Sequence, residues 1–103
     1  MNDTRKLAAA RYVAMDTQAQ LVFLANLAHR LTIVGRDTYD AYDSVKDRMR
    51  LKAVNEAQHR VLGQLLKLLM GDEHRYPDDV FVDMLMDQLQ TLKIDPEGIL
   101  HWN

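Results

Sequence analysis

The chain has 103 residues and no cysteine, which excludes disulfide scaffolds, zinc–thiolate sites and cysteine nucleophiles. Its 48% hydrophobic and 27% charged residues, with four glycines and two prolines, are typical of one globular domain over residues 1–103. The net charge of −2 gives no electrostatic reason to expect nucleic acid or a membrane as a partner. The N-terminal stretch lacks the apolar segment of a signal peptide, so we expect a cytoplasmic protein.

The first third of the chain has a helical pattern. Two heptad positions are almost entirely apolar, with Thr17 as the polar exception. This continuity favours one helix over residues 4–34, bent near Asp16 and ended by Gly35. The alternative is a break at Asp16, which would then cap a second helix. Within this stretch, residues 20–35 are apolar on more than one side, which indicates a central helix.

A polar segment, residues 37–47, follows, and we expect it to be a loop or a short additional helix. Ser44 with Asp47 three residues later resembles a capping box, which predicts that a second long helix begins near Ser44. Gly71 supplies the left-handed residue that ends this helix after Met70.

The second long helix has an apolar seam with heptad spacing and a polar opposite side. The seam consists of Leu51, Val54, Gln58, Val61, Leu65 and Leu68. The opposite side, which should face water, consists of Lys52, Glu56, Arg60, Gly63 and Lys67. A mid-helix glycine costs about 1 kcal/mol relative to alanine, so Gly63 is expected to mark a close helix contact.

A third helix is predicted from Pro77 to about Lys93, because proline suits the first helical position. Asp95 and Pro96 end it. Its apolar seam consists of Val82, Leu85, Leu89 and Leu92, with Phe81 beside it. The tail that follows is expected to pack Ile99, Leu100 and Trp102 onto the bundle.

These elements predict an all-α fold, an up-down-up bundle of three main helices with a fourth short helix if residues 37–47 are helical. The central helix would be left partly uncovered, because Val22 and Ile33 lie on its second side. We therefore expect a homodimer that completes the core across a two-fold axis.

Asn55 and Gln58 project into the apolar sector of the second long helix, and a buried amide needs a partner. Gln58 would pair either with Gln58 of a second copy or internally, with Thr17, Asn26 or His29. The predicted interface residues are thus Asn55, Gln58, Val22 and Ile33.

A metal site is a weaker hypothesis. Glu56 and His59 have the Glu-x-x-His spacing that places two ligands one turn apart in di-iron bundles. His29 would join them, and a dimer would duplicate the set. The alternative is an exposed Glu56 that pairs with Lys52 or Arg60, and we predict no cofactor.

Catalysis has little support, because the chain has no nucleophile elbow, phosphate loop or dinucleotide fingerprint. His29 and His59 could form an acid–base pair, but the sequence places no nucleophile beside them. We expect core or interface histidines and predict no catalytic residue.

Two surfaces are candidates for binding a partner. The loop before the third helix places Arg75 and Tyr76 near a helix N-terminus, where a phosphate or carboxylate could bind; a simple capped turn is the alternative. Rows of aspartates, which either attract a basic partner or are simply solvated, occur at 37–47 and at Asp79, Asp83 and Asp87.

The leading functional hypothesis is a small non-enzymatic interaction or regulatory module that self-associates. One alternative is a metal-binding bundle that uses Glu56, His59 and His29. The other is an acidic, antitoxin-like or inhibitor protein that binds a basic partner through its aspartate rows.

Overall fold

The computed structural model describes residues 2–41 and 43–94, with side chains from residue 6 onward. The predicted tail contacts of Ile99, Leu100 and Trp102 lie outside the described residues. The described ranges contain α1 (Asn2–Ala14), α2 (Thr17–Asp40), α3 (Val45–Met70) and α4 (Asp78–Thr91), and no strand. The predicted all-α helical bundle is confirmed.

The single helix favoured for residues 4–34 is wrong, because the chain breaks between α1 and α2. Asp16 has an extended backbone, with φ −72° and ψ 172°, and its Oδ1 accepts a hydrogen bond from the Ala19 N–H at 2.8 Å. Such a cap stabilises a helix by about 1 kcal/mol. The fourth helix therefore comes from this break and not from the polar segment 37–47.

Gly35 does not end α2, which continues to Asp40. A Cβ added at Gly35 would lie 3.1 Å from Cγ1 of Val54, so the glycine allows α2 and α3 to approach closely. The Ala41 N–H closes the helix by bonding to the Asp37 carbonyl. Residues 37–40 are therefore the last turn of α2, and residues 45–47 belong to the first turn of α3.

The other helix ends lie close to their predicted positions. Ser44 caps α3 by accepting from the Asp47 N–H, while Asp47 Oδ2 accepts from the Asp43 N–H at 2.9 Å. Gly71 ends α3 with a φ of 68°, the left-handed conformation that glycine adopts without steric cost. Pro77 lies immediately before the first residue of α4.

Helices α2 and α3 form a long antiparallel hairpin. Gln58 Nε2 donates to Thr32 Oγ1 at 2.8 Å, and Arg50 Nε donates to Thr38 Oγ1 at 3.3 Å. Because later residues of one helix meet earlier residues of the other, the two helices run in opposite directions. Helix α1 packs against α4, and α4 also packs against α3.

The core lies where these helices meet. The Tyr12 ring lies 5.4 Å from the Phe23 ring and 5.8 Å from the Phe81 ring, which joins α1, α2 and α4. The whole predicted seam of the last helix is buried, as are Leu24, Leu27 and Leu31 of α2 and Val54, Val61 and Leu68 of α3.

Gln20 is a buried polar residue that the sequence reasoning did not single out. Its Nε2 donates to the Tyr12 carbonyl at 3.0 Å and to Asp78 Oδ2 at 3.2 Å. One amide thus ties the end of α1 to the starts of α2 and α4, where backbone groups need partners.

Candidate functional site

The hairpin has an uncovered apolar side near the start of α2 and the end of α3. A groove of about 670 Å³ lies there, and we call it the apolar groove. The described residues that line it are all uncharged: Thr17, Gln18, Leu21, Val22, Ala25, Leu65 and Leu69. Val22 is 47% exposed and Leu69 is 62% exposed. Apolar side chains gathered at one exposed place favour a contact with another protein surface.

A second heptad stripe on α3 runs along this uncovered side. It consists of Asn55, Gln58, Leu62, Leu65 and Leu69, spaced alternately by three and four residues. The stripe shares Gln58 and Leu65 with the predicted seam and extends it towards solvent. Because Leu62 and Leu69 are exposed, α3 offers a coiled-coil-like surface to a further helix.

Gln58 is bonded within the chain, to Thr32 rather than to Thr17, Asn26 or His29. Its Oε1 is buried and has no hydrogen-bond partner among the described residues. A buried amide oxygen without a donor costs about 1–3 kcal/mol. The Gln58 amide nitrogen therefore has a hydrogen-bond partner within the chain, whereas the amide oxygen has none among the described residues.

The other predicted interface residues divide between two environments. Val22 lines the apolar groove, and Asn55 is exposed one turn before Gln58 on the same stripe. Ile33 is half-buried further along α2 and is outside the described lining of the groove. Val22 and Gln58 thus lie along the uncovered apolar side of the hairpin, whereas Asn55 borders the polar side of α3 and lines the groove found there.

A second groove, of about 790 Å³, follows the polar side of α3, and we call it the cationic groove. Its charged lining consists of Arg48, Lys52, Arg60, Lys67 and one carboxylate, Glu56, with His59 between them. Tyr76 lines it from the loop after α3. Gly63 also lines it, and among the described residues nothing lies within 4 Å of a Cβ built there. The close helix contact predicted at Gly63 is therefore not made by any of the described helices.

The candidate metal ligands are not brought into one site. Glu56 and His59 both line the cationic groove, whereas His29 is on α2 and outside its described lining. Within residues 2–41 and 43–94, no group of three histidine, aspartate or glutamate side chains is placed to hold a metal ion. Both His29 and His59 are exposed, so neither is a core histidine, and the alternative of an interface histidine stays a prediction.

The loop between α3 and α4 is held by its own hydrogen bonds. Arg75 donates to the Asp72 carbonyl at 3.0 Å, and Lys67 Nζ donates to the His74 carbonyl at 3.0 Å. The His74 N–H donates to Asp72 Oδ1 at 2.8 Å and, as the largest cause, holds the pKa of Asp72 below its ordinary value. Arg75 thus supports the turn, and Tyr76 turns towards the cationic groove.

The last aspartate row lies on the outer side of α4. Asp79, Asp83 and Asp87 are all exposed and recur every four residues, so they share one helix face. Each side chain can therefore reach solvent or a partner.

Helices long and apolar enough to cross a bilayer are absent from the described residues. No protein-family model, curated protein or solved structure matches this chain.

Proposed function

We propose that this protein is a non-enzymatic helical interaction module that self-associates through the apolar groove. The main observation in support of this proposal is that the described residues lining the groove are all uncharged. When a surface meets its own copy across a two-fold axis, charged groups near the axis approach the same charge, which costs free energy. A neutral, apolar groove avoids that repulsion, so it suits a second copy of the chain.

The shape of the hairpin supports the same partner. Helices α1 and α4 pack near Phe23 and Phe81, while Val22 and Leu69 stay exposed on another side. A second hairpin docked there would surround the exposed leucines with four helices, the arrangement that buries heptad stripes in bundles.

Gln58 gives independent support. Its unpartnered Oε1 lies on the stripe that would enter the interface. Gln58 is thus a polar residue on a mostly apolar stripe, and a polar residue at a seam fixes the register of the helices. We also propose that the protein is cytoplasmic, as expected from its sequence.

Light scattering coupled to size-exclusion chromatography tests the proposal at micromolar concentrations. We expect wild type to be a dimer and the double variant Val22→Glu/Leu69→Glu to be a monomer, because four carboxylates would meet across the two-fold axis. The matched control is Tyr39→Glu/Met49→Glu, at residues that are 71% and 67% exposed and outside the groove.

Circular dichroism of each variant confirms that it stays helical. A monomeric wild type would refute the proposal. So would a groove variant that dimerises as tightly as the control.

A further inference from the structure

The cationic groove concentrates positive charge in a chain that is negative overall. Four cations and one carboxylate line its described part, whereas the whole chain carries −2. Lys52, His59 and Lys67 are exposed, and the Lys67 ammonium keeps two N–H groups beyond the one that it donates to the His74 carbonyl. A concave surface of one sign attracts ligands of the opposite sign. The cationic groove is therefore suited to an anionic ligand.

The length of the groove indicates what kind of anion fits. Arg48 and Lys67 are separated by about 28 Å along α3, at 1.5 Å per residue. Lys52 and Arg60 alone span about 12 Å. A compact phosphorylated metabolite would contact one end and leave the remaining cations unused. The spacing favours an elongated ligand that lies along the helix.

Nucleic acid fits the groove less well than an acidic polypeptide. Proteins that bind single strands combine cations with several aromatic side chains for base stacking, and Tyr76 is the one aromatic residue in the described lining. Glu56 lies between Lys52 and Arg60 and would repel a continuous phosphate backbone. A polypeptide can place a neutral residue opposite Glu56.

Apolar side chains continue the line of the groove towards the end of α3. His59, Gly63, Leu66 and Met70 follow at spacings of four, three and four residues, so they share a helix face. Leu66 is 55% exposed and Met70 is 76% exposed. A ligand that follows this face meets Lys52 and Arg60 first, and then Leu66 and Met70 with Lys67 beside them.

We propose that the cationic groove of α3 binds an acidic amphipathic helix of another protein. Acidic side chains of that helix pair with Lys52, Arg60 and Lys67, and its apolar side chains cover Leu66 and Met70. Helices recognised in grooves present residues at this spacing. The proposal deepens the interaction function but uses a surface separate from the apolar groove.

The experiment measures fluorescence anisotropy of a labelled synthetic helix that carries glutamates at every fourth position and leucines beside them. We expect binding to wild type that weakens as sodium chloride is added, because the exposed charges are screened. Lys52→Glu/Arg60→Glu should weaken binding about tenfold or more. The matched control, Arg30→Glu/Lys46→Glu, makes the same change of charge outside the groove and should bind as wild type does.

Two further probes identify the ligand class. A peptide of the same composition in scrambled order should bind at least about tenfold more weakly, because its glutamates do not form one row. A single-stranded oligothymidylate that binds more tightly than the helical peptide would overturn the proposal. Equal losses in the groove variant and the control variant would also overturn it.

Failure here is distinguishable from failure of self-association. Lys52→Glu/Arg60→Glu should remain a dimer in light scattering and remain helical by circular dichroism. Val22→Glu/Leu69→Glu should still bind the acidic peptide. If loss of the dimer also removes peptide binding, the two surfaces are not independent and the separate site is refuted.

Discussion

At the scale of single residues, Tyr12 combines a well-packed ring with an unsatisfied hydroxyl. Its side chain is 1% exposed, and its hydroxyl has no hydrogen-bond partner among the described residues. Burial, followed by the negative charge of Asp78, raises the pKa of the Tyr12 phenol, so the group stays neutral. The ring therefore stabilises the core, while the hydroxyl opposes folding.

Tyr12→Phe should increase the free energy of unfolding by about 1 kcal/mol, because it removes the buried, unpaired hydroxyl and keeps the ring. Urea unfolding followed by circular dichroism measures the change. Tyr39→Phe is the matched control at a side chain that is 71% exposed, and it should leave stability unchanged. A loss of stability in Tyr12→Phe would contradict this account, since it would mean that the hydroxyl is satisfied.

At the scale of helices, the sequence predicts a helix boundary well where a single residue has the chemistry to start or stop the helix. Ser44 caps the start of α3 with its side chain, and Gly71 ends α3 in the left-handed conformation. Both roles are local, and both helix ends lie where they are predicted. Asp16 can also cap a helix, but the heptad pattern continues through it and therefore favours one unbroken helix. Gly35 was misread because its role depends on Val54, which is distant in sequence.

The two mid-helix glycines should respond differently to alanine. Gly63→Ala should increase the free energy of unfolding by about 1 kcal/mol, because alanine is the better helix former and the described surroundings leave space for its Cβ. Gly35→Ala gains the same propensity, but its Cβ lies 3.1 Å from a buried, β-branched valine. Gly35→Ala should therefore increase the free energy of unfolding by less than Gly63→Ala does, or decrease it.

Thermal and urea unfolding of both alanine variants measure this difference. An equal gain at both positions would show that Val54 yields freely and that the approach of α2 to α3 does not require glycine. Each variant changes one hydrogen to a methyl group, so each serves as the control for the other.

At the scale of the whole molecule, the sequence showed the polar side of α3 but not that it lines a groove. Lys52, Arg60 and Lys67 were assigned to one solvated face from their spacing alone. The groove also needs Tyr76, whose position depends on how the following loop folds back. The apolar groove likewise depends on the pairing of α2 with α3, although Val22 indicated an uncovered side.

Gln58→Leu should tighten the proposed dimer, because the variant removes a polar group that lowers affinity at an apolar seam. Sedimentation equilibrium of wild type and variant measures the dissociation constant. The control, Thr32→Val, removes the internal partner of Gln58 and leaves the amide itself at the seam. An unchanged dissociation constant in Gln58→Leu would assign the residue to the bond within the chain alone.

The pairing of α1 with α4 also sets an order for folding during synthesis. Tyr12 and Phe81 are separated by about 70 residues, so the N-terminal helix leaves the ribosome long before its partner exists. The α2–α3 hairpin needs only nearby contacts and can form first. Until α4 emerges, Phe23 and the surrounding core remain in water, and the nascent chain is exposed to aggregation. Helix α1 can contact α2 through Tyr12 and Phe23 earlier, but its packing is complete only when α4 arrives.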